Sequence, residues 1–195
     1  MSNEINKVKR FLTIKRDTVE ETINDTSSTT FSLFLIILAI VLGVTQTLLQ
    51  NFLARDPLEW LIAFVGTEEP SAVRIVMDGI MNNVIFPILM VILIFYLGNW
   101  IKGEAESLNH VIRAIGYSTP PLLISSAIGF LTLVDNPVVW IIVGICWFAF
   151  GLWFVIVVIY ALMLTFKKGA FTAIVAIIFS AIIAGIATSW TVFIP

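Results

Sequence analysis

The sequence predicts an all-α integral membrane protein, a five-helix transmembrane bundle with a cytoplasmic N-terminus and an outside C-terminus. Three observations predict it. Of 195 residues, 59% are hydrophobic and 12% charged, against roughly 45–50% apolar and about 25% charged in a soluble domain. Five apolar runs are long enough to cross a bilayer, which takes about 20 residues. The eleven basic residues sort to alternate sides of those runs, nine against two.

Residues 1–29 form a polar, amphipathic N-terminal segment, read as cytoplasmic; residues 30–195 form the membrane domain. In the segment, Ile5, Val8, Leu12, Val19 and Ile23 recur at near-helical spacing, with one gap at Lys15. Two readings stay open for it: a basic surface helix that lies on anionic lipid or docks a partner, and a solvated helix that obeys the positive-inside rule.

The spans are expected at about 31–53, 84–101, 111–134, 138–166 and 170–193. Asp25 to Thr30 offers N-caps to the first. That run rises about 1.5 Å per residue, enough for a hydrocarbon core of about 30 Å. Residues 54–83 are the one long loop, placed outside, with short interfacial helices near Trp60 and near Val73 to Met81. The second of these is able to run directly into the next span, which would dip Asp78, Asn82 and Asn83 toward the bilayer. In the fourth span Gly144 and Gly151 sit seven apart and suggest a packing seam. In the fifth, Ala176, Ser180, Ala184 and Thr188 form one ridge of small residues, and Ala181, Gly185 and Ser189 another. Such ridges let backbones approach in lipid and offer a homo-oligomer contact through this helix.

With five spans, Lys7, Lys9, Arg10, Lys15, Arg16, Lys102, Arg113, Lys167 and Lys168 fall on one side, and Arg55 and Arg74 on the other. The positive-inside rule gives the orientation from this. A multi-pass protein of the cell membrane is expected, with membrane lipids as its surroundings and no nucleic-acid partner.

Chemistry is sparse. A lone Cys146 excludes an intramolecular disulfide, and with a lone His110 it leaves no Cys/His metal set. There is no Ser-His-Asp constellation, no phosphate loop and no pair of intramembrane acids. The expectation is a non-enzymatic protein without cofactor.

The unusual stretch is Arg113-Ala114-Ile115-Gly116-Tyr117-Ser118-Thr119-Pro120-Pro121, inside the third span. Two prolines lack an N–H, so the carbonyls of Gly116 and Tyr117 lose their usual donors. In hydrocarbon such a break survives only where protein, water or nearby hydroxyls satisfy the freed groups. Arg113, Gly116, Tyr117, Ser118, Thr119, Pro120 and Pro121 are therefore the candidate binding residues.

This Arg-x-x-Gly-Tyr-Ser-x-x-Pro element, at the start of the third of five spans and behind a polar N-terminal segment, resembles the Yip1-domain family. The compact form looks like its archaeal and bacterial members. The eukaryotic branch is implicated in vesicle traffic with prenylated small GTPases and often carries an Asp-Leu-Tyr-Gly-Pro element, which this chain lacks. The resemblance implies a scaffold or interaction protein with a partner at the cytoplasmic face. The alternative is a small permease or channel for an ion, solute or lipid that uses the broken helix. A polar, open cavity at Tyr117 to Pro121 would favour transport; a dry, filled one would favour the scaffold.

Overall fold

The computed structural model describes residues 2–53, 72–134 and 136–189. The interfacial helix expected at Trp60 and the end of the fifth span lie outside them.

The elements are α1 (Ser2–Leu12), α2 (Arg16–Asn24), α3 (Ser28–Leu53), α4 (Ala72–Ile80), a π-helical turn (Met81–Ile85), α5 (Phe86–Trp100), α6 (Leu108–Ser118), α7 (Pro120–Gly129), a 3-10 turn (Phe130–Leu133), α8 (Pro137–Thr165) and α9 (Ala170–Thr188). No strand occurs among the described residues. Among the described residues four stretches are long and apolar enough to span a membrane: Ser28–Leu49 of α3, Val76–Trp100, α8 and α9. The bent pair Leu108–Ser118 and Pro120–Leu133 makes a fifth if it counts as one span.

Two boundaries differ from expectation. The second span starts at Val76 rather than near residue 84, so α4 and the residues after it are helix rather than loop. Asp78 is the lone charge in this stretch, and the π turn carries the backbone through Asn82 and Asn83 without a break: the Phe86 N–H reaches back to the Met81 carbonyl. The N-terminal segment is two helices instead of one. Its chain turns at Ile14, whose φ of 57° is left-handed and costly for a β-branched residue.

α1 and α2 pack on the bundle itself, chiefly on α6 and α8. Phe11, Val19 and Ile23 are buried in one core with Val111, Ala114, Tyr117, Leu162 and Phe166. The apolar stripe of the segment is thus covered by the chain's own helices from Val8 onward, while Ile5 stays exposed.

The same end of the bundle is tied by two matching helix termini. At the ends of α5 and α8, Lys102 and Lys167 adopt left-handed φ of 67° and 53°. The Gly103 N–H bonds back to the Gly98 carbonyl at 2.9 Å and the Lys168 N–H to the Met163 carbonyl at 3.2 Å. Both are Schellman closures, which satisfy carbonyls orphaned at a helix end. The Phe166 ring lies against both Gly98 and Gly103, where any Cβ would fall within 3 Å of it. Ion pairs Lys168–Glu104 at 2.6 Å and Lys167–Glu106 at 2.8 Å close the junction outside.

The ridge Ala176, Ser180, Ala184 and Thr188 is buried, and α9 packs most closely on α5. Gly144, Gly151 and Gly185 mark no close approach among the described residues: a Cβ added at any of them meets nothing there within 4 Å. The seven-residue spacing of Gly144 and Gly151 puts them on one helix face, and no neighbouring helix covers that face closely.

Candidate functional site

The site is the joint between α6 and α7. Pro120 and Pro121 open α7, and the two helix segments meet at 45°. Of the two carbonyls freed there, that of Gly116 is recovered locally, and hydroxyls serve the turn before it. The Thr119 N–H turns to the Gly116 carbonyl at 3.1 Å. The Thr119 hydroxyl donates to the Ile115 carbonyl at 2.9 Å, and the Ser118 hydroxyl to the Ala114 carbonyl at 2.6 Å. Both side chains are buried. This is hydroxyl back-bonding of the kind that bends helices.

Gly116 makes the joint fit its neighbour. A Cβ there would lie 2.6 Å from Ser32 Cβ and 2.7 Å from Ser32 Cα and O. α6 and α3 therefore touch through backbone. Replacing both Pro120 and Pro121 by alanine restores two N–H donors and should relax the 45° bend. The expected result is a straighter helix and a lower melting temperature in detergent; an unchanged melting temperature would refute a structural role for the bend.

Tyr117 is fully buried at the joint. Its ring packs against Phe11 of α1 and Phe31 of α3, with centroids 5.5 Å and 5.9 Å away. Its hydroxyl donates to the Glu4 carboxylate of α1. Glu4 is paired with Lys7 at 3.2 Å, and Lys7 with Asp25 at 2.5 Å. Lys7 and Ser28 both donate to Asp25, so a polar latch runs from α6 through α1 to the start of α3. Arg113, one turn before Tyr117, is 2% exposed. Among the described residues it reaches only the Thr29 hydroxyl, at 3.4 Å, and its Nε has no partner there.

The hydrogen bond from Lys7 holds the Asp25 carboxyl well below its ordinary value of 3.8, and the same bond raises Lys7 above 10.5. A lowered acid stabilises the fold above its ordinary pKa and loses that contribution as pH falls through the lowered one; a raised base loses its contribution as pH rises through the raised one. The latch therefore holds at about pH 4 and at about pH 10 alike, and opens only as pH falls through the lowered Asp25 value or rises through the raised Lys7 value. A spin-label distance between α1 and α6 that already lengthens between neutral pH and about pH 4 would contradict this.

Beside the joint lies a partly enclosed cavity of about 390 Å³ between α3, the π turn, α5, α7, α8 and α9. Its wall is apolar apart from Asn82, Asn83, Thr119 and Ser126. The Asn83 amide donates to the Gly79 carbonyl at 3.0 Å and approaches the Thr47 hydroxyl at 3.4 Å.

Of the residues singled out by sequence, the structure brings together Gly116, Tyr117, Ser118, Thr119, Pro120 and Pro121, with Arg113 beneath them. Glu4, Phe11, Phe31 and Asn83 belong to the same region and were not foreseen. Phe11 carries the one signal that could have found it, since it sits a turn from Val8 and beside Leu12. No group of three or more His, Cys, Asp or Glu that could hold a metal occurs among the described residues.

Neither the curated proteins nor the solved structures yield a match to this chain. The family comparison does: the model of the Yip1 domain matches residues 9–191, nearly the whole length, including most of the N-terminal segment that folds onto the joint. The chain belongs to the Yip1 domain family.

Proposed function

We propose that this Yip1 domain protein is a non-enzymatic scaffold or interaction protein of the cell membrane. Its N-terminal helices and the loop Ile101 to Ser107 form a cytoplasmic docking face, with the C-terminus outside. The nine-to-two division of basic residues supports the orientation. The observation that carries the reading is how the broken helix uses its polar groups. The hydroxyls of Ser118 and Thr119 serve their own helix and that of Tyr117 serves Glu4, so the break supports a joint under the N-terminal helices instead of lining a polar path.

The second reading, a small permease, draws on the cavity beside Thr119. Flux in proteoliposomes separates the two. The scaffold reading expects potassium, proton and neutral-solute leakage no greater than in empty liposomes. Flux that Thr119→Val abolishes would transfer the assignment to a permease.

A further inference from the structure

The geometry points to a binding site for one hydrocarbon chain of a membrane lipid, in the cavity between the π turn and the broken helix. This goes beyond the scaffold reading and does not depend on it.

Shape is the first ground. On α3 the wall is Ile36, Ala39, Ile40 and Gly43; on the second span it runs from Asn82 through Phe86 and Met90 to Ile94. Each set follows one helix face, at spacings of three and four. At a rise of 1.5 Å per residue these faces extend about 10 Å and about 18 Å along their helices. The cavity is therefore a slot parallel to the spans, with the direction of a lipid chain in the surrounding bilayer.

Chemistry is the second. A buried water needs two to four polar partners. Thr119 and the Asn83 amide already donate to protein oxygens, and the long walls between offer Ile, Met, Val, Leu and Phe side chains. Water would lack partners along most of the slot. Left empty, a cavity of about 390 Å³ forfeits the dispersion contacts of every lining side chain. Apolar cavities of this kind stay dry and take apolar ligands.

Polarity at one end is the third. Asn82 is exposed, and with Asn83 it sits at the end where the π turn meets Gly43 of α3. A lipid lying with its chain in the slot would bring its ester or ether oxygens to the Asn82 amide. The neighbouring Pro87 has no N–H, which leaves a carbonyl of the π turn without its helical donor.

The experiment places the full chain in nanodiscs of phosphatidylcholine that carries a photoreactive diazirine midway along one chain, and maps the adducts by peptide mass spectrometry. Adducts are expected on Met90, Val91 and Leu122 inside the slot, as well as on outward residues such as Phe148 and Phe171, both 75% exposed. Ala39→Trp, which fills the slot, should lose the slot adducts and keep those on Phe148 and Phe171. Ser126→Leu serves as a second filling variant should Ala39→Trp fail to fold. Wild-type adducts confined to outward residues would overturn the proposal, and that is the result expected if residues 54–71 of the chain itself fill the slot. Slot adducts unchanged by either folded variant would overturn it equally.

Discussion

Gly116→Leu should prevent the bundle from closing. The atoms a Cβ would strike are Ser32 Cβ, Cα and O, at 2.6–2.7 Å. Backbone cannot rotate aside as a side chain can, so α6 and α3 would have to separate. Inserting even a methyl into a packed contact costs about 1–3 kcal/mol, and three further carbons deepen the clash. Separation also pulls Tyr117 from Phe31. Thermal unfolding in detergent measures the effect, with Gly116→Ala intermediate. Gly144→Leu and Gly185→Leu are the controls, since both positions face open space within the chain. Equal destabilisation at all three glycines would mean that the contact with Ser32 does not set the loss, since helix propensity by itself favours leucine over glycine.

Tyr117→Ala should release the N-terminal helices. Truncating a buried aromatic costs about 3–5 kcal/mol, and here the loss falls on the contact between α6 and α1. Phe11 loses its ring partner and Glu4 loses its donor. Tyr117→Phe keeps the ring and removes only the hydrogen bond, worth about 1 kcal/mol net. The readout is tryptic cleavage at Lys15 and Arg16, in the connection between α1 and α2. Cleavage should accelerate strongly for the alanine variant and slightly for the phenylalanine variant. Equal rates in all three proteins would show that other contacts hold the segment in place.

Hydropathy made the spans legible because a bilayer demands about 20 apolar residues in a row. The break at Pro120 and Pro121 was legible because a missing N–H is a property of the residue itself. What the joint touches was not. Glu4 reads as one acid in a mixed-charge segment, and its bond to Tyr117 crosses 113 positions of sequence. Phe11 lies beside the stripe of Val8 and Leu12, but what it meets was hidden because the chain reverses at Ile14, a residue whose chemistry gives no hint of left-handed backbone. Gly144 and Gly151 illustrate the opposite failure: spacing tells which face two residues share and says nothing of what covers it. The helix ends before Lys102 and Lys167 were legible as the ends of apolar runs, but their left-handed closure was not, since glycine is the usual residue in that conformation.

The π turn in the second span decides where an acidic residue points. Around a regular helix each residue turns the chain by about 100°. In a regular α-helix over the same residues, Asp78 would lie about 160° from Ile94, which faces the bundle core, and its carboxylate would be directed at lipid tails. One added residue brings it to about 60°, toward the protein side. Accordingly Asp78 is half-buried, Gly79 is buried and Ile80 is exposed. Local underwinding thus spares the membrane a charge while leaving the carboxylate in the chain.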